Sequence, residues 1–426
     1  MPAPASNSVL QQTTSYKVVL PFYIFAAISF LLACILLLIH TEVIHQHYFQ
    51  PQTLAITHLM ALGWGTMIIL GASHQLLPVL IEGKLDSYLL AYLSFFFAAL
   101  GIPLLVIGFY LFNMGLILQS GAVLINASVI CYFLNVINSI VESKKYNVHA
   151  WFMATAALWL FITTFFGLML VFNFTRSWLP ENSIEYLSLH AHMGLAGWFL
   201  LLVIGVGSRL IPMFLISKYT STKTLWWIYA LINVALLCFI LLKTLKIHGE
   251  FYFPSFLLVL IALILFGNYC YKAYKVRIRK QVDEQMKVSL LSIALLFLPL
   301  FSLLIVIYFI SADTKANIVL LYGFCIFFGW ITAIILGMTF KTLPFIVWNK
   351  VYHSRALGKT PTPKELFSER LFQIMALLYL AGFILFLFGI IFLNDLLLKS
   401  GAVSLLVAAI LYVSNVAKII FHQAAN

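Results

Sequence analysis

The chain divides into twelve apolar runs, each long enough to cross a bilayer as a helix and each bounded by charged or turn-forming residues. They fall near 17–40, 51–80, 87–111, 114–141, 149–173, 187–216, 224–245, 251–274, 287–311, 316–348, 369–393 and 397–421. About 20 predominantly apolar residues span a hydrocarbon core as a helix. A soluble domain is excluded by the same pattern, because only 9% of the 426 residues are charged and 63% are hydrophobic. Met1 to Tyr16 is polar and lacks a basic stretch, so the first run, Val18 to Ile39, is expected to be a retained span rather than a cleaved leader. The five cysteines, Cys34, Cys131, Cys238, Cys270 and Cys325, all lie inside apolar runs without a CxxC, which makes them packing residues.

Charge alternates between loops. Those after the even-numbered runs carry Lys84, Lys144, Lys145, Lys218, Lys223, Lys272, Lys275, Arg277, Arg279, Lys280, Lys350, Arg355, Lys359 and Lys364. The opposite loops hold little beyond Arg176, Lys246, Lys315 and Lys399. The positive-inside rule then puts both termini in the cytoplasm. The net charge of +12 reports topology and contact with anionic lipid, and its scatter over short loops argues against nucleic acid as a partner.

Three of the runs align without gaps: HLMALGWGTMIILGASHQLLP from His58, HMGLAGWFLLLVIGVGSRLIP from His192 and FCIFFGWITAIILGMTFKTLP from Phe324. Each has a Gly-Trp pair (Gly63-Trp64, Gly197-Trp198, Gly329-Trp330), a later glycine (Gly71, Gly205, Gly337) and a proline taken to mark the helix end (Pro78, Pro212, Pro344). Asn135, Asn268 and Asn415 form a weaker echo two runs further on. The expected fold is an all-α polytopic membrane protein of twelve helices in three pseudo-threefold-related four-helix arcs. The arcs are 17–145, 146–285 and 286–426, after a tail 1–16, with a cytoplasmic connector at 349–369.

Histidines are the chemistry-bearing residues of this repeat. His58 and His192 hold the same position, where the third copy has Phe324, and His190 lies about 200° around the helix from His192. All three are expected in the outer half of the bilayer, where an ionisable side chain marks function by default. Two neutral imidazoles from neighbouring helices can sandwich a haem iron, with Gly63, Gly65, Gly194 and Gly197 leaving room for the macrocycle; each can equally hydrogen-bond across helices. His74 lies about 24 Å along the helix from His58 and serves as an interfacial polar contact or a proton-path residue. Gln75, Arg209 and Lys341 are equivalent, with anion binding and snorkelling to the interface as alternatives. His40, His45 and His47 with Glu42 offer a copper-capturing set beside plain solvation. His149, His248, His353 and His422 receive no role. There is no P-loop, GxSxG, HExxH, Rossmann fingerprint or CxxCH, so any haem is noncovalent.

The helix beginning at His58, and the H-x-H of His190-Ala191-His192 running on to Arg209-Leu210-Ile211-Pro212, resemble subunit I of the haem-copper oxidase superfamily, including its nitric oxide reductase branch. The resemblance implies a haem b clamped by His58 and His192, with His190 holding a second haem or a metal. It further implies a bacterial-type inner membrane, electron exchange with quinol or a periplasmic carrier, and membership of a larger membrane complex. The family's H-x-H lies on its tenth span and here on the sixth, and the seventh run has no histidine pair or H-x-x-x-Y. The usual three-histidine copper site is therefore missing, copper lacks its usual ligand set, and terminal oxidase activity is not expected. NnrS-type proteins, divergent haem proteins linked to nitric oxide stress, are a closer functional likeness. A transporter or copper-handling protein and a noncatalytic scaffold subunit are the alternatives.

Overall fold

The computed structural model describes residues 14–247, 249–309, 316–352 and 360–424. Within them are twelve membrane-length helices: α1 (Tyr16–Ile39), α2 (Pro51–Leu80), α3 (Tyr88–Tyr110), α4 (Leu116–Ser143), α5 (Val148–Arg176), α6 (Ser183–Phe214), α7 (Thr222–Thr244), α8 (Phe253–Lys275), α9 (Glu284–Ile305), α10 (Asn317–Tyr352), α11 (Glu369–Phe392) and α12 (Asp395–Ile420). The expected all-α membrane fold is observed, with helix ends shifted by a few residues. Loop polar residues set several of those ends. Ser87, Asn147, Asp283, Ser368 and Asn394 each accept a backbone N–H of the first turn.

In α2, α6 and α10, 78%, 67% and 56% of the most apolar stretch is buried, against 50% or less in the other nine helices, so these three are the inner helices. Each lies against the helix before it in the chain. A Cβ on Gly71 would come 2.7 Å from Phe22 of α1, and Gly205 and Gly337 are crowded likewise by Phe152 of α5 and Ser289 of α9. Around them α4 packs on α5, α8 meets α9, and α12 returns to α1, which closes the outer wall.

The inner helices bond to one another in cyclic order. Trp64 Nε1 of α2 donates to Thr332 Oγ1 of α10, and Trp198 Nε1 of α6 donates to Thr66 Oγ1 of α2, both at 3.1 Å. The third tryptophan, Trp330, is buried with its Nε1 unpaired, because Leu200 occupies the position that Thr66 and Thr332 hold in the other copies.

Two features differ from the sequence reading. Each inner helix turns π-helical directly after the repeat's histidine position, over Leu59–Thr66, Met193–Leu200 and Cys325–Ile331. Such i→i+5 segments are rare and concentrate at functional sites. Pro344 does not end its helix, which continues to Tyr352 and delays the connector. The first described part of that connector is a short turn, Pro363–Leu366, capped by Thr362 and Glu365. Residues 353–359, with His353, lie outside the described residues, as do His248 and residues 1–13 of the tail.

Candidate cofactor cavity

A cavity of about 620 Å³ opens between the inner helices at the end away from the basic loops. Its volume falls in the range of roughly 300–1,000 Å³ usual for small-molecule and cofactor sites. His58, His190 and His192 all line it, beneath a mouth formed by Tyr48 and Phe49 of the α1–α2 loop and Glu185 before the regular part of α6. Its wall is overwhelmingly apolar, as a lipid-embedded pocket for a planar macrocycle would require.

The local helix geometry prepares two of the imidazoles in the same way. His58 Nδ1 donates to the Leu54 carbonyl at 2.8 Å, and His192 Nδ1 donates to the Ser188 carbonyl at 2.7 Å. A carbonyl only accepts, so Nδ1 carries the proton and Nε2 keeps its lone pair, the arrangement that orients histidines toward metals. His190 differs. Its buried Nδ1 makes no well-formed hydrogen bond among the described residues, and the Thr163 backbone of α5 lies beside the ring. Its ring lies flush against α5, where a Cβ on Gly167 would be only 2.8 Å from Cε1. Any larger residue at 167 would push the imidazole away.

The neighbours of the three rings separate them. His58 stacks on Phe109 of α3, with ring centroids 4.5 Å apart. His192 meets Phe239 of α7 at 4.9 Å, and its Nε2 accepts the Tyr322 hydroxyl of α10 at 3.3 Å. His58 and His192 thus share a cavity but face different helices. At the third equivalent position Phe324 stacks with Phe328, Phe383 and Phe386 at 5.2, 5.4 and 4.7 Å, so that corner is packed with aromatic rings.

Among the described residues, no three His, Cys, Asp or Glu side chains gather as a metal set. A bare zinc or copper ion needs three or four protein ligands, whereas haem brings four of its own and asks the protein for one or two. The imidazole supply and the cavity volume fit a planar iron cofactor better than a bare ion.

The remaining candidates lie elsewhere. His74 is 1% exposed between Phe22 and Tyr132, and Thr14, ahead of α1, donates to its backbone carbonyl. Arg209 is exposed at the basic end, while its equivalent Gln75 is buried. Lys341 does not snorkel but pairs with Asp283, and both side chains are nearly buried. The loop histidines disperse: His40 bonds Glu42 and Tyr110, His45 bonds Asp395, and His47 packs on Tyr48. His149 faces the Gly205 carbonyl. Near the mouth, Lys246 holds the Glu181 carboxyl below the usual carboxylate range, and Glu181 raises the Lys246 ammonium in turn. Lys243 lines the cavity with no carboxylate within 4.0 Å among the described residues.

Tyr322, Phe109 and Gly167 were not singled out from the sequence. Tyr322 was within reach of it, since the repeat alignment sets Tyr322 opposite His190 and Ile56. The π-helical segments have no such signal, because their widened turn leaves no hydrophobic period to detect.

No family model matches the sequence, and no curated protein does. Thirty-three solved chains match in structure. One of them, from a cryo-EM structure of a haem-copper terminal oxidase dimer, is similar with a TM-score of 0.66 and 11% identity, over 97% of this chain and 86% of that one. At that identity the likeness is one of fold: this is an integral membrane protein with the helical architecture of a haem-copper terminal oxidase chain.

Proposed function

We propose that the chain is a membrane haem protein of the haem-copper oxidase type, acting in electron transfer or in nitric oxide or oxygen handling, with an NnrS-type role the nearest likeness. The observation that carries this reading is the meeting of three imidazoles from two inner helices in one apolar cavity, two of them tethered so that Nε2 bears the lone pair. The haem, noncovalent and b-type, would be held by these imidazoles and would supply one-electron redox chemistry or the binding of a diatomic gas. The protein's part is to hold the imidazoles as neutral donors, to keep water from the iron with apolar walls, and to bring the cofactor's edge near one surface. The basic loops support a cytoplasmic placement of that end of the bundle and of both termini. The cavity then lies toward the periplasmic side of a bacterial-type inner membrane, within reach of quinol or a periplasmic carrier. The cyclic tryptophan–threonine bonds support three repeated four-helix units.

An optical spectrum of the protein purified in detergent tests this directly. Soret and α bands in the reduced protein, weakened in His58→Ala, are expected. A protein that stays colourless after incubation with haemin would sink the reading. If the reduced protein's spectrum shifts with carbon monoxide, an iron position is open for gas, and an unchanged spectrum assigns the chain to electron transfer.

A further inference from the structure

We infer that the two residues presented to opposite faces of one iron cofactor are His58 and His190, and that His192 belongs to the next seam, paired with Tyr322. The inference rests on the haem reading above and changes the ligand pair expected from the sequence. Its root is a property of repeated helices. Side chains at one repeat position of a cyclic bundle are related by the rotation that carries one helix onto the next, so they face successive seams rather than one another. His58 and His192 occupy one such position.

The contacts follow that rule in both seams. His58 of α2 and His190 of α6 line the same cavity, with Phe109 of α3 stacked on His58. One step around, His192 of α6 looks across to Tyr322 of α10, with Phe239 of α7 against it. The alignment that carries His58 onto His192 also carries His190 onto Tyr322. In the third seam the same step gives Phe324 and Ile56, which offer no ligand. One seam therefore holds two imidazoles, the next an imidazole and a phenol, and the last neither. In the second seam His192 Nε2 is already an acceptor for the Tyr322 hydroxyl, whereas the His190 Nδ1 in the first makes no well-formed hydrogen bond among the described residues. Gly167 makes room for the His190 ring against α5.

The test uses the full chain carrying haem, with His58→Ala, His190→Ala and His192→Ala compared by haem content, optical bands and electron paramagnetic resonance of the ferric form. The expected result is a six-coordinate low-spin spectrum in the wild type and in His192→Ala. In His58→Ala and His190→Ala it changes to high-spin, or haem is lost, and added imidazole restores the low-spin signal. Tyr322→Phe leaves the spin state unchanged. The pairing is overturned if His192→Ala becomes high-spin while His190→Ala stays low-spin, or if imidazole rescues His192→Ala and not His190→Ala. A wild type that takes up no haem fails at the earlier step, and is told apart because no variant then shows a spectrum to compare.

Discussion

Trp64 and Trp198 each bury an indole N–H against a threonine hydroxyl on a neighbouring inner helix, while the indole of Trp330 is buried without a partner. A buried donor left unpaired costs about 1–3 kcal/mol, so the molecule carries one defect in an otherwise repeated set of bonds. Leu200 sits where the missing threonine would be. Valine and threonine have nearly the same shape, and in an apolar core valine is ordinarily the better tolerated of the two. Here the order should reverse. Leu200→Thr is expected to be more stable than Leu200→Val by about 1 kcal/mol, measured by thermal unfolding in detergent. Equal or lower stability for the threonine variant would mean that the Trp330 N–H is satisfied by water. At this scale the sequence identified His58, His190 and His192 by type and repeat position, but it paired them by equivalence. Under the pairing inferred above, repeat equivalence would separate these residues instead of joining them, and it is the neighbours Phe109, Phe239 and Tyr322 that support that pairing.

Among the elements, the asparagine echo has a structural job that its sequence signal did not disclose. Asn135 grips the backbone of Ser87 with both ends of its amide, accepting from the N–H at 3.0 Å and donating to the carbonyl at 2.9 Å. Asn415 grips Ser368 in the same way at 2.9 and 3.0 Å. Each clasp fixes the start of one helix against the end of the next, α3 to α4 and α11 to α12. Asn268, the third member, is exposed and makes no side-chain bond among the described residues. Asn135→Ala and Asn415→Ala are each expected to lower stability by about 1–3 kcal/mol, through the unpaired backbone groups left at Ser87 and Ser368. Asn268→Ala should stay within about 0.5 kcal/mol of the parent. Three similar losses would show the echo to be something other than a clasp. Helix number and order were legible because the bilayer imposes a length that apolar runs record directly. The π-helical segments and the continuation past Pro344 were not, since both depend on what surrounds the inner helices rather than on their own composition.

At the scale of the whole molecule, the bundle is uneven from end to end. The end holding the histidines encloses about 620 Å³, while toward the basic loops the inner helices leave about 100 Å³. There they are held by close contacts at Gly71, Gly205 and Gly337 and by the pair of Lys341 with Asp283. An apolar cavity gives its walls no atoms to pack against until something fills it. A bound occupant should therefore add order chiefly at one end, and mass action sets the scale: about 2.7 kcal/mol when the free ligand is at 100 times its Kd. Hydrogen exchange on haem-loaded and haem-free protein tests this. Removing the cofactor should speed exchange in the starts of α2 and α6 and in the loop at Thr41–Phe49, and leave the proline ends of the same helices unchanged. Uniform loosening along both helices would mean that the basic end does not stand by itself. No change at either end would mean that the cavity is as well supported empty as filled, and that its occupant contributes chemistry without contributing structure.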